Sequence, residues 1–191
     1  VYAIVLVFFL KDKNRKRESS SVAIAKIPLL KGLATLFSNM AFWIILLYFA
    51  APSLPGWATK NWLPTLFAES LQIPMSQAGP MSTITIPVSS FIGVLFGGLL
   101  SDKWVQRNIR GRVYTSAIGL GLTIPSLILL GLGDSYIAVI GAALFFGLGF
   151  GMFDANNMPI LCQFVPSHLR ATAYGFMNMV GVFAGAAVTQ V

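Results

Sequence analysis

The sequence predicts an all-α membrane protein, a polytopic bundle of helices, and two observations predict this class. First, 56% of the 191 residues are hydrophobic and only 10% are charged, with a mean hydropathy of +0.77. Soluble domains carry about 25% charged residues, because their surface must be wetted. Second, the apolar residues form runs of the roughly 20 residues that a helix needs to cross a bilayer.

The apolar runs divide the chain into an incomplete first segment and five spans. Residues 1–10 are too few to cross a bilayer and are predicted to end a span that begins upstream. Because the sequence starts and stops within apolar runs, we expect a fragment of a longer protein. The polar, basic stretch 11–38 is predicted to be a cytoplasmic loop, ending in a short amphipathic helix at the membrane interface. The predicted spans are 39–66, 79–100, 113–133, 136–163 and 171–191, the last of them truncated.

The basic residues orient these spans. All of the 13 lysines and arginines except Lys60 lie in three connections, 11–38, 101–112 and 164–170, which alternating spans bring to one side. Positive charge marks the cytoplasmic side of a membrane protein. The same distribution explains the net charge of +7 without nucleic acid, so we expect no nucleic-acid partner and membrane lipid around the helices.

The sequence contains few of the residues that catalysis or metal binding requires. The chain has one cysteine, one histidine and six acids, mostly in connections between the apolar runs. Neither a nucleophile triad nor a cluster of metal ligands is apparent. We therefore expect no enzyme, no catalytic residue, no metal site and no cofactor, apart from a proton or Na⁺ as a coupling ion.

One charged stretch, GGLLSDKWVQRNIRGR at 97–112, interrupts the apolar sequence between two spans on the cytoplasmic side. Its pattern resembles the signature loop of the Major Facilitator Superfamily, with additional residues before the final basic cluster. Two more stretches, NWLPTLF at 61–67 and PSHLRATAYGFMNMVGVFAGA at 166–186, resemble the anion:cation symporter branch. The residues that match the loop are Gly98, Asp102, Lys103, Arg110 and Arg112.

The resemblance implies the C-terminal six-helix half of a Major Facilitator fold, incomplete here. Residues 1–10 would end the sixth span, residues 11–38 would be the central loop, and the N-terminal half of the same chain would be a missing partner. The implied function is secondary active transport at the cell membrane, as cation-coupled symport of an organic or sugar-acid anion by alternating access. A neutral-sugar or drug transporter of the same fold, or a membrane scaffold without transport, stays open.

An acid inside a predicted span is the first candidate site residue. Asp154 lies within 136–163, and Asn157 follows three residues later on the same helical face. Charges buried in a membrane are costly and mark transport pathways. Asp154 is predicted to bind a proton or Na⁺, or to orient substrate; a structural acid near the cytoplasmic mouth is the alternative.

A proline-rich stretch predicts a second candidate. Pro52, Pro55 and Gly56 suggest that the span 39–66 is interrupted and restarts with its positive helix end in the membrane. Lys60 and Asn61 would then sit in the first turns and bind an anionic group. In the alternative, the span ends at Ala51 and Lys60 is a loop residue.

Two pairs of glycines have the GxxxG spacing, Gly93 with Gly97 and Gly181 with Gly185. In lipid such pairs let helices approach closely, so we expect helix crossings at these positions.

Two further sets of residues complete the predicted sites. Asn178 belongs to a stripe of polar and small residues in 171–191, and Ser82 to a similar stripe in 79–100; both are helix contacts or pathway lining. Asp102 closes its helix at the carbonyl end, where a negative charge is unfavourable. It is predicted to need a partner outside its helix. The resemblance implies the positive end of a helix in the other half, as a latch that keeps the cytoplasmic side shut.

Overall fold

The part of the chain that the structure describes consists of helices joined by short connections. This computed structural model describes residues 29–133 and 135–189, so the predictions for 1–10 and for most of the loop 11–38 lie outside it. One short 3₁₀ turn, Ser167–Leu169, precedes the last helix. The α-helices are α1 (Leu29–Phe37), α2 (Met40–Leu71), α3 (Met75–Val105), α4 (Gly111–Leu132), α5 (Tyr136–Phe164) and α6 (Arg170–Thr189). The predicted all-α helical bundle is confirmed.

Helices α2 to α5 are each long and apolar enough to cross a membrane. Their bounds differ by a few residues from the predicted spans; α2, for example, continues to Leu71 rather than ending at 66. The hydropathy pattern marks only the segment that matches the hydrocarbon core, about 30 Å thick. The backbone hydrogen bonds continue beyond it, and the 32 residues of α2 extend over about 48 Å.

Helix α5 is the centre of the bundle, packed along α3 on one side and α4 on the other. Glycines allow this close approach, as the GxxxG spacing predicts. Gly93 of α3 lies against the backbone of Leu148, and Gly97 lies against Met152, so a side chain at either position would collide with α5. Small residues at such crossings let helices gain packing contacts in lipid, where no hydrophobic force drives them together.

The last helix, α6, packs mainly on α2 and completes the other side of the bundle. Its glycines face aromatic rings: Gly181 lies against Phe49, and Gly185 against Trp57. The short helix α1, predicted at the membrane interface, packs through Leu36 into an apolar cluster that also contains Phe42 and Leu169. This cluster ties α1 to the adjoining ends of α2 and α6.

The predicted interruption of α2 is wrong, and so is its alternative. The helix runs without a break from Met40 to Leu71, through Pro52, Pro55 and Pro64. Each proline removes one backbone donor, but a complete break would leave several more groups unsatisfied in lipid, where water cannot replace them. A proline-containing helix is therefore less costly than an interrupted one, and Lys60 lies within a continuous helix rather than at a helix start or in a loop.

Candidate functional site

Two of the predicted site residues, Lys60 and Asp154, line the same cavity. The cavity lies between α2 and α5 and has a volume of about 140 Å³. We call it the aromatic cavity, because four of its residues are aromatic. Its lining is Phe49, Ser53, Gly56, Trp57, Lys60, Phe150, Phe153 and Asp154. Lys60 and Asp154 therefore come from different helices and bring opposite charges to one space.

Both charges lie deep within their helices. Lys60 is about 16 Å along the helix axis from the end of α2 at Leu71, and Asp154 is about 15 Å from the end of α5 at Phe164. Both side chains are exposed in this chain. Charged side chains at such depth in spanning helices face the bundle interior or a water-filled space rather than lipid.

Lys60 is held by a residue of its own helix. Its ammonium Nζ lies 5.7 Å from the centroid of the Trp57 ring, one turn earlier. A cation over an indole face is attracted by about 0.5–1 kcal/mol at an exposed site. Gly185 of α6 lies against the same ring. The position of the lysine therefore depends on α6 as well as on α2.

Asp154 is likewise held within its own helix. Its Oδ1 accepts a hydrogen bond from Nδ2 of Asn157 at 3.1 Å, which places the two residues together as the sequence predicts. The Oδ1 of Asn157 is buried and has no hydrogen-bond partner. Lys60 and Asp154 do not form an ion pair with each other. Among the residues that the structure describes, Asp102 and Arg112 are the one pair whose charged nitrogen and oxygen atoms lie within 4.0 Å.

Lys60 also lines a second cavity, between α2 and α3, of about 250 Å³. We call it the hydroxyl cavity. Its lining is Thr59, Lys60, Leu63, Ser82, Thr83, Ile86 and Pro87. Thr59 donates its hydroxyl hydrogen to the carbonyl of Pro55 at 2.7 Å, and Ser82 and Thr83 both donate to the carbonyl of Gly79 at 2.9 and 2.8 Å. The stripe that contains Ser82 therefore lines a cavity at this point.

None of the three predicted asparagines, Asn61, Asn157 and Asn178, lines either cavity, and Asn157 reaches the site only through its bond to Asp154. Asn61 donates to the carbonyl of Trp57 at 3.0 Å, and Asn178 donates to the carbonyl of Tyr174 at 3.1 Å. Each amide is bonded to the preceding turn of its own helix, and neither lines the aromatic or the hydroxyl cavity. The structure does not bring them to Lys60 and Asp154.

Sequence reasoning missed the aromatic wall of the site. Trp57 was not assigned to the site, since a tryptophan suits a membrane interface as well as a cavity wall. Phe49, Phe150 and Phe153 were not singled out, because phenylalanine is common throughout this chain. One feature of the sequence could have indicated that Trp57 belongs to the site. Trp57 precedes Lys60 by three residues, and residues at that separation lie on the same face of a helix.

The predicted gating loop lies at the other end of α3. Nη2 of Arg112 lies 2.7 Å from Oδ1 of Asp102, with the Asp102 side chain 65% exposed and the Arg112 side chain 22% exposed. Asp102 was predicted to need a partner outside its own helix, and Arg112 at the start of α4 is such a partner. The contact of Asp102 with the other half of the transporter stays a prediction. Of the other loop residues, Gly98 has open space where a side chain would be, and Lys103 and Arg110 are exposed.

Within the described residues, no group of three or more His, Cys, Asp or Glu side chains is placed to hold a metal ion. The polar groups of the site are the lysine, the carboxylate, the amide of Asn157 and the hydroxyl groups. Fold and site together define a multi-pass helical membrane protein with opposite charges on the walls of an internal cavity.

The comparisons with known proteins identify the family. Residues 1–189 match the Major Facilitator Superfamily, and the chain belongs to this family of membrane transporters. It is 20% identical over 188 residues to a citrate-proton symporter of Klebsiella pneumoniae. The aligned residues cover 97% of this chain and 42% of that protein. The chain thus spans less than half the length of this relative. No match was found among solved structures.

Proposed function

We propose that this chain belongs to a secondary active transporter that carries an organic or sugar-acid anion together with a cation. The observation that carries the proposal is the placement of Lys60 and Asp154 on two walls of one cavity, without an ion pair between them. Intramembrane charges are retained for function because they are costly. A cation that is not neutralised by its neighbour is free to bind an anionic substrate.

Lys60 is the proposed binding group for a substrate carboxylate. The ammonium carries three donors on a flexible stem and is held in the described state only by an aromatic ring. A charge-assisted hydrogen bond to a carboxylate is stronger than a cation–π contact at an exposed site. A substrate carboxylate therefore displaces the contact with the Trp57 ring and binds the ammonium of Lys60.

Asp154 is the proposed binding group for the coupling ion, which we infer to be a proton. Asn157 can serve both protonation states of the carboxyl. Its amide nitrogen donates to the ionised form, as in the described geometry, and its unpartnered oxygen can accept from the protonated form. The relative that is named a proton symporter supports the same ion. Na⁺ is the alternative, and the uptake experiment decides between them.

The loop residues Gly98, Asp102, Lys103, Arg110 and Arg112 are the proposed gate. In this proposal the described bundle rocks against an N-terminal half of the same protein, in the cell membrane, and the loop contacts that half on the cytoplasmic side. The ion pair between Asp102 and Arg112 fixes the loop geometry, while the mostly exposed carboxylate remains available to an additional partner.

The test is uptake by proteoliposomes that contain the complete protein. Citrate, glucuronate and neutral glucose are offered with an imposed pH gradient, an imposed Na⁺ gradient or neither. We expect accumulation of at least one of the two carboxylates, driven by the pH gradient. Uptake of glucose alone would contradict the anion proposal in favour of a neutral-sugar transporter. Absence of all gradient-driven uptake would contradict transport of this class and favour a scaffold or a different substrate class.

A further inference from the structure

The ring of Trp57 stands between helix α6 and the aromatic cavity. Among the described residues, the lining of this cavity comes from α2 and α5. Gly185 of α6 is buried against the ring of Trp57, where an added Cβ atom would overlap the ring atoms Cδ1 and Cγ. The indole therefore rests on the backbone of α6, at a position that has no side chain.

The space at Gly185 determines how far the indole lies from the cavity. Cγ joins the ring to its stem, so a movement of the far end of the ring cannot make room for a methyl group at position 185. Either the whole indole turns away from α6 and into the cavity, or α6 moves away from α2. Overpacked sites respond by such shifts of side chains and backbone.

Helix α6 is held on α2 at more than one place. A Cβ atom at Gly181, one turn before Gly185, would lie 2.8 Å from Cε1 of Phe49. Closer to the start of α6, Met177 is buried in an apolar cluster that α2 and α6 share. Displacement of α6 would open these contacts, whereas rotation of Trp57 changes one side chain. A methyl group at position 185 therefore moves the indole.

The indole in turn holds the proposed substrate-binding group. The ammonium of Lys60 lies 5.7 Å from the centroid of the Trp57 ring, and the aromatic cavity has a volume of about 140 Å³. An indole that turns into this space reduces the room beside Lys60 without removing the lysine or its charge. The effect on a ligand therefore depends on the size of the ligand and not on its charge.

We propose that Gly185 is a specificity-determining position, at which the absence of a side chain keeps Trp57 back and admits a six-carbon carboxylate such as glucuronate or citrate beside Lys60. This inference rests on the proposed function and adds a residue of α6, behind the ring. A larger residue at position 185 should exclude a six-carbon carboxylate while a three-carbon one still binds. Glycerate is the small probe, because it keeps the carboxylate and hydroxyl groups of a sugar acid.

The experiment measures uptake by proteoliposomes that contain the complete protein, with labelled citrate or glucuronate, whichever the unmodified protein accumulates. Glycerate is added as a competing inhibitor. In Gly185→Ala, the apparent KM of the six-carbon substrate should rise about tenfold, because the displaced ring takes space that this ligand needs. The maximal rate should not change, and the inhibition constant of glycerate should change less than about twofold.

A second substitution tests whether the effect passes through the ring. In a Trp57→Ala background there is no indole to displace, so the addition of Gly185→Ala should change the KM less than about twofold. A general weakening of the packing between α2 and α6 would act in both backgrounds. Gly175→Ala is the matched control, because Gly175 also lies on α6 but is exposed, with open space where the methyl group would lie.

If Gly185→Ala is not recovered from the membrane, Gly181→Ala takes its place. Its methyl group meets Phe49, another ring of the same cavity. The same selective rise in KM is expected, and a Phe49→Ala background should remove it. If glycerate does not inhibit the unmodified protein, the comparison of the backgrounds with and without the ring decides.

The outcomes separate this inference from the proposed function. A rise in KM that spares glycerate and disappears without the ring supports the role of Gly185. An unchanged KM in Gly185→Ala, or an equal loss for both carboxylates whether or not the ring is present, overturns the inference while the proposed function stands. If the unmodified protein accumulates neither citrate nor glucuronate in response to a gradient, the proposed function fails and the inference fails with it.

Discussion

At the scale of single residues, the site consists of two charges that are each held by a neighbour on the same helix. Lys60 contacts Trp57 three residues earlier, and Asp154 is bonded to Asn157 three residues later. Both contacts follow from helix geometry, since residues at this spacing share a face. They hold the side chains in place without neutralising them. The two charges do not form an ion pair with each other, which the proposed binding of charged ligands to the aromatic cavity requires.

Replacement of Lys60 by alanine should weaken anion binding selectively. We expect Lys60→Ala to raise the apparent KM for glucuronate by about 10–100-fold, since hydrogen bonds to charged groups contribute about 1.5–3 kcal/mol. The measurement is uptake at a series of concentrations, with glucuronamide, the neutral amide of the same compound, as competing inhibitor. The inhibition constant of the amide should not change. An equal weakening of both compounds would show that Lys60 only shapes the cavity, and Lys31→Ala, at an exposed lysine of α1, controls for loss of a lysine elsewhere.

Replacement of Asp154 by asparagine should separate transport from its driving ion. A carboxamide cannot gain or lose a proton at physiological pH, so Asp154→Asn should abolish accumulation driven by a pH gradient while exchange down the anion's own gradient persists. The measurement is the accumulation ratio with and without the imposed gradient. Glu69→Gln removes an exposed acid near the end of α2 and should leave this ratio unchanged. Normal gradient-driven accumulation in Asp154→Asn would exclude Asp154 as the coupling residue.

At the scale of helices, α2 shows what sequence can and cannot specify. Pro52 and Pro55 correctly mark a place where backbone hydrogen bonds are missing. Whether a helix bends or ends there depends on the neighbours that pack around it, here α5 and α6, and these are distant in sequence. The position of Lys60 in the site was predicted from a break that does not exist. Its presence in the aromatic cavity follows instead from the continuous helical face that it shares with Trp57.

Glycine placement is the element-scale feature that the sequence predicted well. The GxxxG spacing in α3 indicated a close crossing, and Gly93 lies against the backbone of Leu148 with no room for a side chain. Overpacking typically costs about 1–3 kcal/mol. We therefore expect Gly93→Ala to lower the thermal unfolding midpoint in detergent by about 2–10 °C.

The matched control for this prediction is Gly121→Ala on α4. Gly121 is exposed and has open space where the new methyl group would lie, and alanine favours a helix more than glycine does. Its unfolding midpoint should stay the same or rise. Equal midpoints for the two variants would mean that α3 can shift away from α5, so that their crossing is not fixed by glycine.

At the scale of the whole molecule, composition and hydropathy were sufficient to predict the helical bundle, and the resemblance of the loop 97–112 to a family signature was sufficient to predict the family. The cavities were not predictable in the same way, because each is enclosed by side chains of two helices whose rotation about their axes is set by packing. Asp154 with Asn157 could be predicted, since both lie on one helix. Asp102 with Arg112 could not, since the loop between α3 and α4 determines how far the arginine returns.

The Asp102–Arg112 pair allows a final prediction that distinguishes a local ion pair from a gate. Exposed ion pairs contribute about 0–1 kcal/mol to stability, so Asp102→Asn should change the thermal unfolding midpoint little. If the exposed carboxylate also contacts the other half of the transporter, the same variant should shift the population toward the inward-open state. Labelling of a single cysteine at the cytoplasmic mouth, in a background without Cys162 and other native cysteines, should then increase.

The charge exchange Asp102→Arg with Arg112→Asp provides the decisive comparison. It keeps the local pair but places a positive charge where the gate proposal needs a negative one. We expect this double variant to unfold at the temperature of the unmodified protein and to retain the increased labelling of Asp102→Asn. Labelling restored to the original level would show that the local pair alone fixes the loop. In that case Asp102 has no contact with the other half, and the cytoplasmic gate must be built from other residues.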